Sequence, residues 1–284
     1  MPITLSVITP VYNGSKFIAE CIENVIAQQC HVAEHLILDA CSTDGTVATI
    51  KSYAERYPHI RWISEKDQGQ SDAMNKGVAL AKGSVIGFLN VDDYYEPNVL
   101  NRVVARFASL AEPSLLVGNC RVLDARDNLL FMNRPVRLRL QDIVLAPYIN
   151  PWPINPAAYF YHKSLHDRAG LYDIEENYAL DLDFLLRALQ VAQVTYVDET
   201  WGNFRFIEGT KTFNDTQVGS NVQRFQAVLD SYRKDLPPTV QQWFQLFRAA
   251  VLCKHWLGYL KTPRLFFQIL AAKIRRRLPM SKAL

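Results

Sequence analysis

The stretch Gly83–Pro97, GSVIGFLNVDDYYEP, predicts how the rest of the chain folds. Its apolar residues 85–89 are typical of a buried strand, which ends directly in Asn90, Asp92 and Asp93. Open α/β sheets bind ligands at the carboxyl ends of their strands, so we expect the site here. Carboxylate and amide oxygens suit Mg²⁺ or Mn²⁺, which proteins hold with one or two carboxylates, water and substrate phosphates. From this stretch alone, capping of a following helix by the two aspartates is an equally open alternative.

Strands and helices alternate on the amino-terminal side of that stretch. Residues 4–9 and 35–39 predict two strands, and each is followed by turn residues and an amphipathic helix pattern. A third strand is predicted over residues 61–64 and a third helix over 71–82. This order predicts an α/β fold with a Rossmann-like, mainly parallel sheet flanked by helices. The first turn, PVYNG, lacks the G-x-G-x-x-G of dinucleotide-binding enzymes and so argues against a dehydrogenase.

The pattern loosens in the second half of the chain. Residues 121–131 predict a hairpin, and five prolines between 134 and 156 favour a loop over the site. A strand is predicted over residues 159–162 and a helix over 181–192. We expect three parts: donor-binding residues 1–125, acceptor-binding and catalytic residues 126–235, and a basic amphipathic helical tail, residues 236–284.

Composition and cysteine usage indicate an ordinary globular protein. The 284 residues are 49% hydrophobic and 21% charged, enough for one large or two modest domains. The five cysteines are odd in number, scattered and without metal-binding spacing, which favours a reduced, cytoplasmic setting. We expect the amino terminus to be a first strand rather than a signal peptide, and no segment of transmembrane length lacks charges.

Charge is unevenly distributed along the chain. Residues 1–240 hold 22 basic and 28 acidic side chains, a net charge of −6, whereas residues 241–284 hold nine basic and no acidic side chains, +9. A helix over residues 264–278 would place apolar side chains on one face and basic side chains around it, as in interfacial helices. We therefore expect residues 264–284 to meet an anionic membrane surface. Packing against the chain's own acidic body is the alternative.

Five pieces of the sequence occur in the order typical of one enzyme family: SVITPVYNG, LILDACSTDGT, EKDQGQSDAMNKG, GFLNVDD, and NPAAYFYHKS with ALDLDFLLRAL. Over roughly residues 3–210 the chain resembles glycosyltransferase family 2, inverting nucleotide-sugar enzymes with the GT-A fold. The resemblance implies a hexosyltransferase that moves a sugar, most simply from UDP, to an acceptor hydroxyl during polysaccharide or cell-envelope glycan assembly. The implied partners are a nucleotide-sugar donor and a glycan or lipid-linked acceptor, with no nucleic acid, at the inner face of the cell membrane.

The resemblance also assigns residues. Asp181 matches the catalytic base, and Asp92, with Asp93 beside it, matches the site of Mn²⁺ or Mg²⁺. The remaining positions would contact the nucleobase, ribose, donor sugar or diphosphate: Thr9, Pro10, Tyr12, Asn13, Asp39, Asp67, Gly69, Asn75, Asn90, Asp183, Arg187 and Arg205. Three positions depart from the family pattern, because Asn90, Leu180 and Ile207 stand where many members have Asp, Glu and His.

Two other functions remain open at this level. A nucleotidyltransferase also places acids at strand ends, but the basic glycine-rich loop typical of that class is absent near the amino terminus. An inactive, membrane-docked nucleotide-sugar binding protein would be consistent with the three departures. For Asp181 the alternatives are a helix N-cap or the neighbouring Asp183 as the base.

Overall fold

A computed structural model describes residues 2–145, 151–176, 178–218, 220–242, 244 and 246. The chain divides into two compact units, residues 1–231 and residues 232–284. The described strands are β1 (Leu5–Val11), β2 (Ala33–Asp39), β3 (Ile60–Ser64), β4 (Val85–Phe88), β5 (Tyr94–Tyr95), β6 (Ser114–Leu123), β7 (Leu129–Asn133), β8 (Tyr159–His162) and β9 (Gln193–Arg205). The described helices are α1 (Ile18–Ala27), α2 (Thr46–Ala54), α3 (Gln70–Leu80), α4 (Val99–Phe107), α5 (Leu140–Leu145), α6 (Leu165–Ala169), α7 (Leu180–Ala188), α8 (Lys211–Val218) and α9 (Ser220–Lys234).

The described strands form one mixed sheet in the order β3-β2-β1-β4-β8-β6-β9-β5, with β7 paired to β6. Strands β1, β2, β3, β4, β6 and β9 run in one direction, and β5, β7 and β8 run in the other. The predicted α/β class and mainly parallel sheet are therefore confirmed. Because β4, β6 and β9 point the same way, their carboxyl ends reach one edge of the sheet, and the site lies there.

Strand β4 lies between β1 and β8 and is buried along its whole length. Its side chains alternate between two apolar layers, with Ile86 and Phe88 in one and Val85 in the other. This two-sided burial explains why the strand is a continuous apolar run rather than an alternating pattern. Helix α4 begins at Val99, with Asn98 at its N-cap, so the alternative that Asp92 and Asp93 cap a helix is wrong.

Strand β1 runs through Pro10 and ends at Val11, two residues beyond the predicted end. The predicted break at proline failed because of the neighbouring strands. β1 pairs with β4 only as far as Ile8, whereas its pairing with β2 continues to Val11, whose carbonyl accepts a bond from the Ala40 amide. Alternation along the strand therefore aims the nitrogen of Pro10 at the side where β4 has ended, so no ladder bond is lost.

The second half contains more regular structure than its prolines suggested. The predicted hairpin is confirmed as β6 and β7, and the helix predicted from residue 181 is α7, which begins at Leu180. The loop expected between residues 134 and 156 includes the short helix α5. Residues 146–150 and the predicted tail helix, residues 264–278, lie outside the described residues. None of the described helices is long and apolar enough to cross a membrane.

Candidate active site

Two adjoining cavities open at the carboxyl edge of the sheet. The larger has a volume of about 630 Å³ and lies against the turn after β1, the start of α3 and the segment after β4. The smaller, about 380 Å³, lies against the start of α7, the segment before β8 and helix α9. Five residues line both cavities: Gln70, Asn90, Phe204, Lys211 and Thr212. The two spaces therefore meet beside Asn90 and Lys211, and a group bound in one can reach a group bound in the other.

The larger cavity brings together seven residues predicted from the sequence: Pro10, Tyr12, Asn13, Asp67, Gly69, Asn90 and Asp92. Asn13 has a positive φ of 49°, and its side-chain oxygen accepts a bond from the Thr43 amide at 2.9 Å. This bond fixes the turn and leaves the Tyr12 ring 66% exposed beside it. Gly69 precedes α3 with φ 120°, a backbone conformation that favours glycine. Its amide donates to Asp67 Oδ1 at 3.0 Å.

Asp39 and Thr9 are both buried below that turn. Asp39 Oδ2 accepts bonds from the Ser42 amide at 3.1 Å and the Ser64 hydroxyl at 2.6 Å, but Asp39 Oδ1 has no partner among the described residues. A buried carboxylate oxygen without a donor is unfavourable unless a ligand supplies one. Thr9, in contrast, bonds His35 Nε2 at 3.0 Å and is fully buried, so the structure places it in the core and not at the cavity.

The adjacent aspartates after β4 have different surroundings. Asp92 lines the larger cavity, and burial raises the pKa of its carboxyl. Asp93 points inward: its Oδ2 accepts bonds from the Asn90 amide at 3.0 Å and the Asn155 amide at 2.7 Å, and its Oδ1 accepts the Arg205 backbone amide at 3.1 Å. Burial and the charge of Asp92 raise the pKa of Asp93 well above its ordinary range. The sequence predicted that both carboxylates would face a metal. In the structure Asp92 lines the larger cavity, whereas Asp93 does not, and its hydrogen bonds link three segments of the chain.

Asp181 lies in the first turn of α7 on the wall of the smaller cavity. Its Oδ1 accepts a bond from the Tyr159 hydroxyl at 2.9 Å. Burial raises the pKa of Asp181 to about 6, against the lowering effects of the Tyr159 bond and the Lys211 charge. The N-cap residue of α7 is Ala179, so the alternative that Asp181 caps this helix is wrong. A carboxylate with a pKa near neutrality on a cavity wall is suited to proton transfer.

Four further predicted residues do not line either cavity. Asp183 and Arg187 form the i,i+4 ion pair on α7, with Arg187 Nη2 2.8 Å from Asp183 Oδ2, and Arg187 also donates to the Ala169 carbonyl. Arg205 is paired with Glu20 and Asp127 and stacks on the Tyr94 ring. Asn75 bonds both the carbonyl and the amide of Tyr172, at 2.8 and 2.9 Å. These contacts occupy the four side chains in packing α3, α7 and β9.

Substitution of Asn75 by Ala is therefore expected to destabilise the fold rather than weaken substrate binding. It removes both bonds to Tyr172, whose ring packs on Phe184 and Phe88, and should lower the free energy of unfolding by about 2 kcal/mol. Urea denaturation measures the change. Lys76→Ala is the control, because Lys76 makes partly exposed ion pairs and one exposed bond to the Lys66 carbonyl, and its loss should change stability by less than about 1 kcal/mol. Equal stabilities of the two variants would show that the bonds to Tyr172 do not stabilise the fold, and a role of Asn75 in substrate binding would then be the better explanation.

Sequence reasoning missed several cavity residues. Lys211 begins α8, lines both cavities, and lies 5.9 Å from the Tyr178 ring. Its only sequence signal was a lysine shortly after a glycine turn, in EGTK. Tyr159 belongs to β8, whose four residues are all buried. Nothing in the sequence indicated that its hydroxyl would bond Asp181 at the cavity. The aromatic wall of the smaller cavity, formed by Trp152, Tyr178 and Phe225, comes from three distant segments.

Comparison with known proteins agrees with this architecture. The family described as Glycosyl transferase family 2 matches residues 6–134. An uncharacterized glycosyltransferase of Mycobacterium tuberculosis, MT1564, is 30% identical over 195 residues, which cover 67% of this chain and 70% of the relative. The uncharacterized glycosyltransferase YibD of Escherichia coli is 38% identical over 116 residues, 41% of this chain. The aligned part spans only 33% of YibD.

Solved structures share the fold at low sequence identity. Staphylococcus aureus TarS 1–349 in complex with UDP-GlcNAc aligns with a TM-score of 0.61 and 20% identity over 74% of this chain and 61% of TarS. The mannosyltransferase PcManGT of Pyrobaculum calidifontis, in complex with GDP-Man and Mn²⁺, aligns with a TM-score of 0.54 and 16% identity over 96% and 85% of the two chains. The fold is therefore the GT-A fold. Together with the family match and the M. tuberculosis relative, it establishes that this chain belongs to glycosyltransferase family 2.

Proposed function

We propose that the chain is an inverting glycosyltransferase that moves a sugar from a nucleoside diphosphate sugar to an acceptor hydroxyl. The observation that carries this proposal is the position of Asp181. Its carboxylate lies on the wall of the smaller cavity, and that cavity meets the larger one beside Asn90 and Lys211. An inverting displacement needs a base on the acceptor side of the sugar and positive charge on the leaving-group side. Adjoining cavities, one with a base and one with Asp92 and basic side chains, meet that requirement.

The larger cavity suits the donor. The exposed Tyr12 ring and the Asn13 turn offer a surface for a nucleobase. Asp39 is buried directly behind the wall residue Ala40, and its Oδ1, which lacks a donor among the described residues, could accept a ring N–H or a ribose hydroxyl that reaches it. Lys66 and Lys211 on the same wall offer positive charge to the diphosphate. UDP is our first choice of nucleotide, supported by the UDP-GlcNAc bound to TarS, and GDP is the competitor because PcManGT binds GDP-Man.

The residues present fit one divalent cation, Mn²⁺ or Mg²⁺. Within the described residues no group of three or more His, Cys, Asp or Glu side chains could hold a metal. A donor-bridged metal does not need such a group, because one carboxylate and the substrate's phosphate oxygens suffice. Asp92 is that carboxylate, with the side chain of Asn90 beside it on the cavity wall. When bound, the metal would neutralise charge that develops on the leaving diphosphate.

The transfer step is a single displacement. The acceptor hydroxyl, held in the smaller cavity, attacks the anomeric carbon while its proton passes to the Asp181 carboxylate. The bond from that carbon to the diphosphate oxygen breaks, and the nucleoside diphosphate leaves with the bonding electron pair. Lys211, which lines both cavities, is placed to offset the negative charge of the leaving group. We place this reaction in polysaccharide or cell-envelope glycan assembly, with a glycan or lipid-linked acceptor.

A donor panel tests the proposal directly. Purified protein is incubated with UDP-glucose, UDP-GlcNAc, UDP-galactose and GDP-mannose, with Mn²⁺, with Mg²⁺ or with EDTA, and nucleoside diphosphate release is measured. We expect release from at least one donor with metal, and an anomeric configuration in the product opposite to that of the donor. A nucleotidyltransferase would release no nucleoside diphosphate from these donors but would form a nucleoside triphosphate and a sugar 1-phosphate once pyrophosphate is added. Donor binding without either reaction would indicate an inactive binding protein.

Asp181 also predicts the pH dependence of transfer. Because the base must be ionised and its pKa is raised to about 6, kcat/KM should fall as pH drops through about 6. The Tyr159 hydroxyl donates to the ionised carboxylate and so lowers that pKa. Tyr159→Phe removes the donor, and we expect the acidic limb of the kcat/KM profile to move to higher pH.

Tyr161→Phe is the matched control for that shift. Tyr161 is an equally buried neighbour whose hydroxyl bonds His166 at 3.0 Å instead of Asp181. Its loss should leave the acidic limb where the wild-type protein has it. Coincident profiles for the wild-type protein and both variants would show that Tyr159 does not position the base.

A further inference from the structure

The hairpin formed by β6 and β7 exposes a group of large apolar side chains. Leu129, Leu130 and Phe131 are 57%, 51% and 52% exposed, and Val136 in the following segment is 58% exposed. Consecutive residues of a strand point to opposite faces, so exposure of all three β7 residues means that both faces of the strand are open. Contiguous exposed apolar residues of this kind indicate an interaction surface.

Basic side chains follow these residues in the sequence. Arg134, Arg137 and Arg139 are exposed, and residues 128–141 contain no acidic side chain. Pro135 is buried and Leu138 packs against the main apolar core, which anchors the segment from beneath. We call residues 129–139 the hairpin surface. Its composition, exposed leucine and phenylalanine beside arginines, matches the chemistry of an interface between lipid headgroups and acyl chains.

The hairpin surface lies beside the active site. Strand β6 runs parallel to β9, so the β6–β7 turn extends from the sheet edge that carries the cavities. In that turn Asp127 bonds Arg205 at 3.1 Å, and the Arg205 amide bonds Asp93, next to Asp92. At the other end of β7, the Asn133 amide donates to the carbonyl of Trp152, a wall residue of the smaller cavity, at 3.1 Å.

We propose that the hairpin surface docks the enzyme on an anionic lipid surface with the smaller cavity close to the membrane. The positive charge and the exposed apolar residues are complementary to such a surface. A second copy of this chain is the competing occupant, and the oligomeric state measured below distinguishes it from a lipid surface. The docking would hold the acceptor cavity next to lipid-linked molecules, and it is separate from the expectation for residues 264–284.

Vesicle flotation with the full chain tests the docking. The probe is vesicles of phosphatidylcholine alone or of phosphatidylcholine with phosphatidylglycerol, and the readout is the fraction of protein recovered with the vesicles. The wild-type chain should float with the anionic vesicles. The double variant Leu130→Asn, Phe131→Asn should lower that fraction by about fivefold or more, since it replaces two of the four exposed apolar side chains by polar ones. The triple variant Arg134→Ala, Arg137→Ala, Arg139→Ala should lower the recovery with anionic vesicles by several-fold, and any preference that remains would come from residues 264–284, whose charge is unchanged.

Matched controls make the result specific to the hairpin surface. Leu171 is 54% exposed elsewhere, and Leu171→Asn should float like the wild-type chain. Lys51, Arg56 and Arg168 are exposed on other segments, so their replacement by Ala removes equal charge from outside the surface and should have little effect. Thermal melting checks that each variant is folded. The proposal is overturned if folded hairpin variants float like the wild-type chain, if the controls lose as much binding, or if the wild-type chain does not float. It is also overturned if the double variant changes only the oligomeric state measured by light scattering.

Discussion

Replacement of Asp181 by Asn is expected to lower kcat by about a hundredfold or more while the affinity for the donor stays near that of the wild-type protein. The amide keeps the shape of the carboxylate, and its oxygen can still accept the Tyr159 hydroxyl, but it cannot take a proton from the acceptor. The donor binds in the larger cavity, which Asp181 does not line. Isothermal titration with the donor nucleotide and steady-state rates separate the two effects.

The same variant should be no less stable than the wild-type protein at pH 7. Burial raises the pKa of Asp181 to about 6, above its value in the unfolded chain, so its ionised form is unfavourable in the folded protein. The wild-type protein should accordingly gain stability from this group as pH falls from about 6 towards 4, and Asp181→Asn should lack that gain. Melting temperatures across this pH range check the sign.

Asp183→Asn is the control for Asp181→Asn. It weakens the ion pair with Arg187 on the same helix and leaves the cavity walls unchanged, so a small loss of stability with a near-normal rate is expected. If Asp183→Asn lost the rate while Asp181→Asn kept it, the assignment of the base would be wrong.

The fold was largely predictable because its signals are local. The apolar run 85–89 is continuous where β4 is covered on both faces, and the turn and helix signals around it follow the βα order. The prediction at Pro10 failed because it depends on a neighbour: whether a proline ends a strand is decided by which strand lies beside its nitrogen, and that is a tertiary property.

The site was predictable only in part, because the direction in which each side chain points depends on tertiary contacts that the sequence does not reveal. Strand-end position places Asp92 and Asp93 together, but only the fold determines that Asn155 and the Arg205 amide reach Asp93 from distant segments and turn it inward. Arg205 is a similar case, because its partners Glu20, in α1, and Asp127, in the β6–β7 turn, are distant from it in sequence and bind it away from the cavity walls. Lys211 was missed since a lone lysine after a turn carries no signal until the structure places it between two cavities.

Replacement of Asp92 by Ala is expected to abolish transfer and to remove the metal dependence of nucleotide binding while the fold persists. Asp92 is the carboxylate that the segment after β4 presents to the larger cavity, and the charge stabilisation lost with the metal is worth several kcal/mol in the transition state. Burial raises the pKa of Asp92, so its ionised form does not stabilise the fold at neutral pH, and the melting temperature should not fall. Titration of nucleoside diphosphate with and without Mn²⁺ measures the binding, and donor turnover measures the chemistry.

Asp93→Ala should lower the stability of the fold and leave metal-dependent nucleotide binding in place, the reverse of what is expected for Asp92→Ala. Comparison of the two variants therefore tests the assignment of Asp92. Its carboxylate accepts bonds from two side-chain amides and one backbone amide, and its loss leaves these donors unpaired in a buried setting. The melting temperature should therefore drop, whereas in the folded fraction the Mn²⁺ dependence of nucleotide binding should persist because Asp92 is unchanged.

Retained turnover in Asp92→Ala, or full activity of the wild-type protein in EDTA, would exclude a metal at Asp92. The positive charge on the leaving diphosphate would then have to come from Lys66 and Lys211 on the same cavity wall.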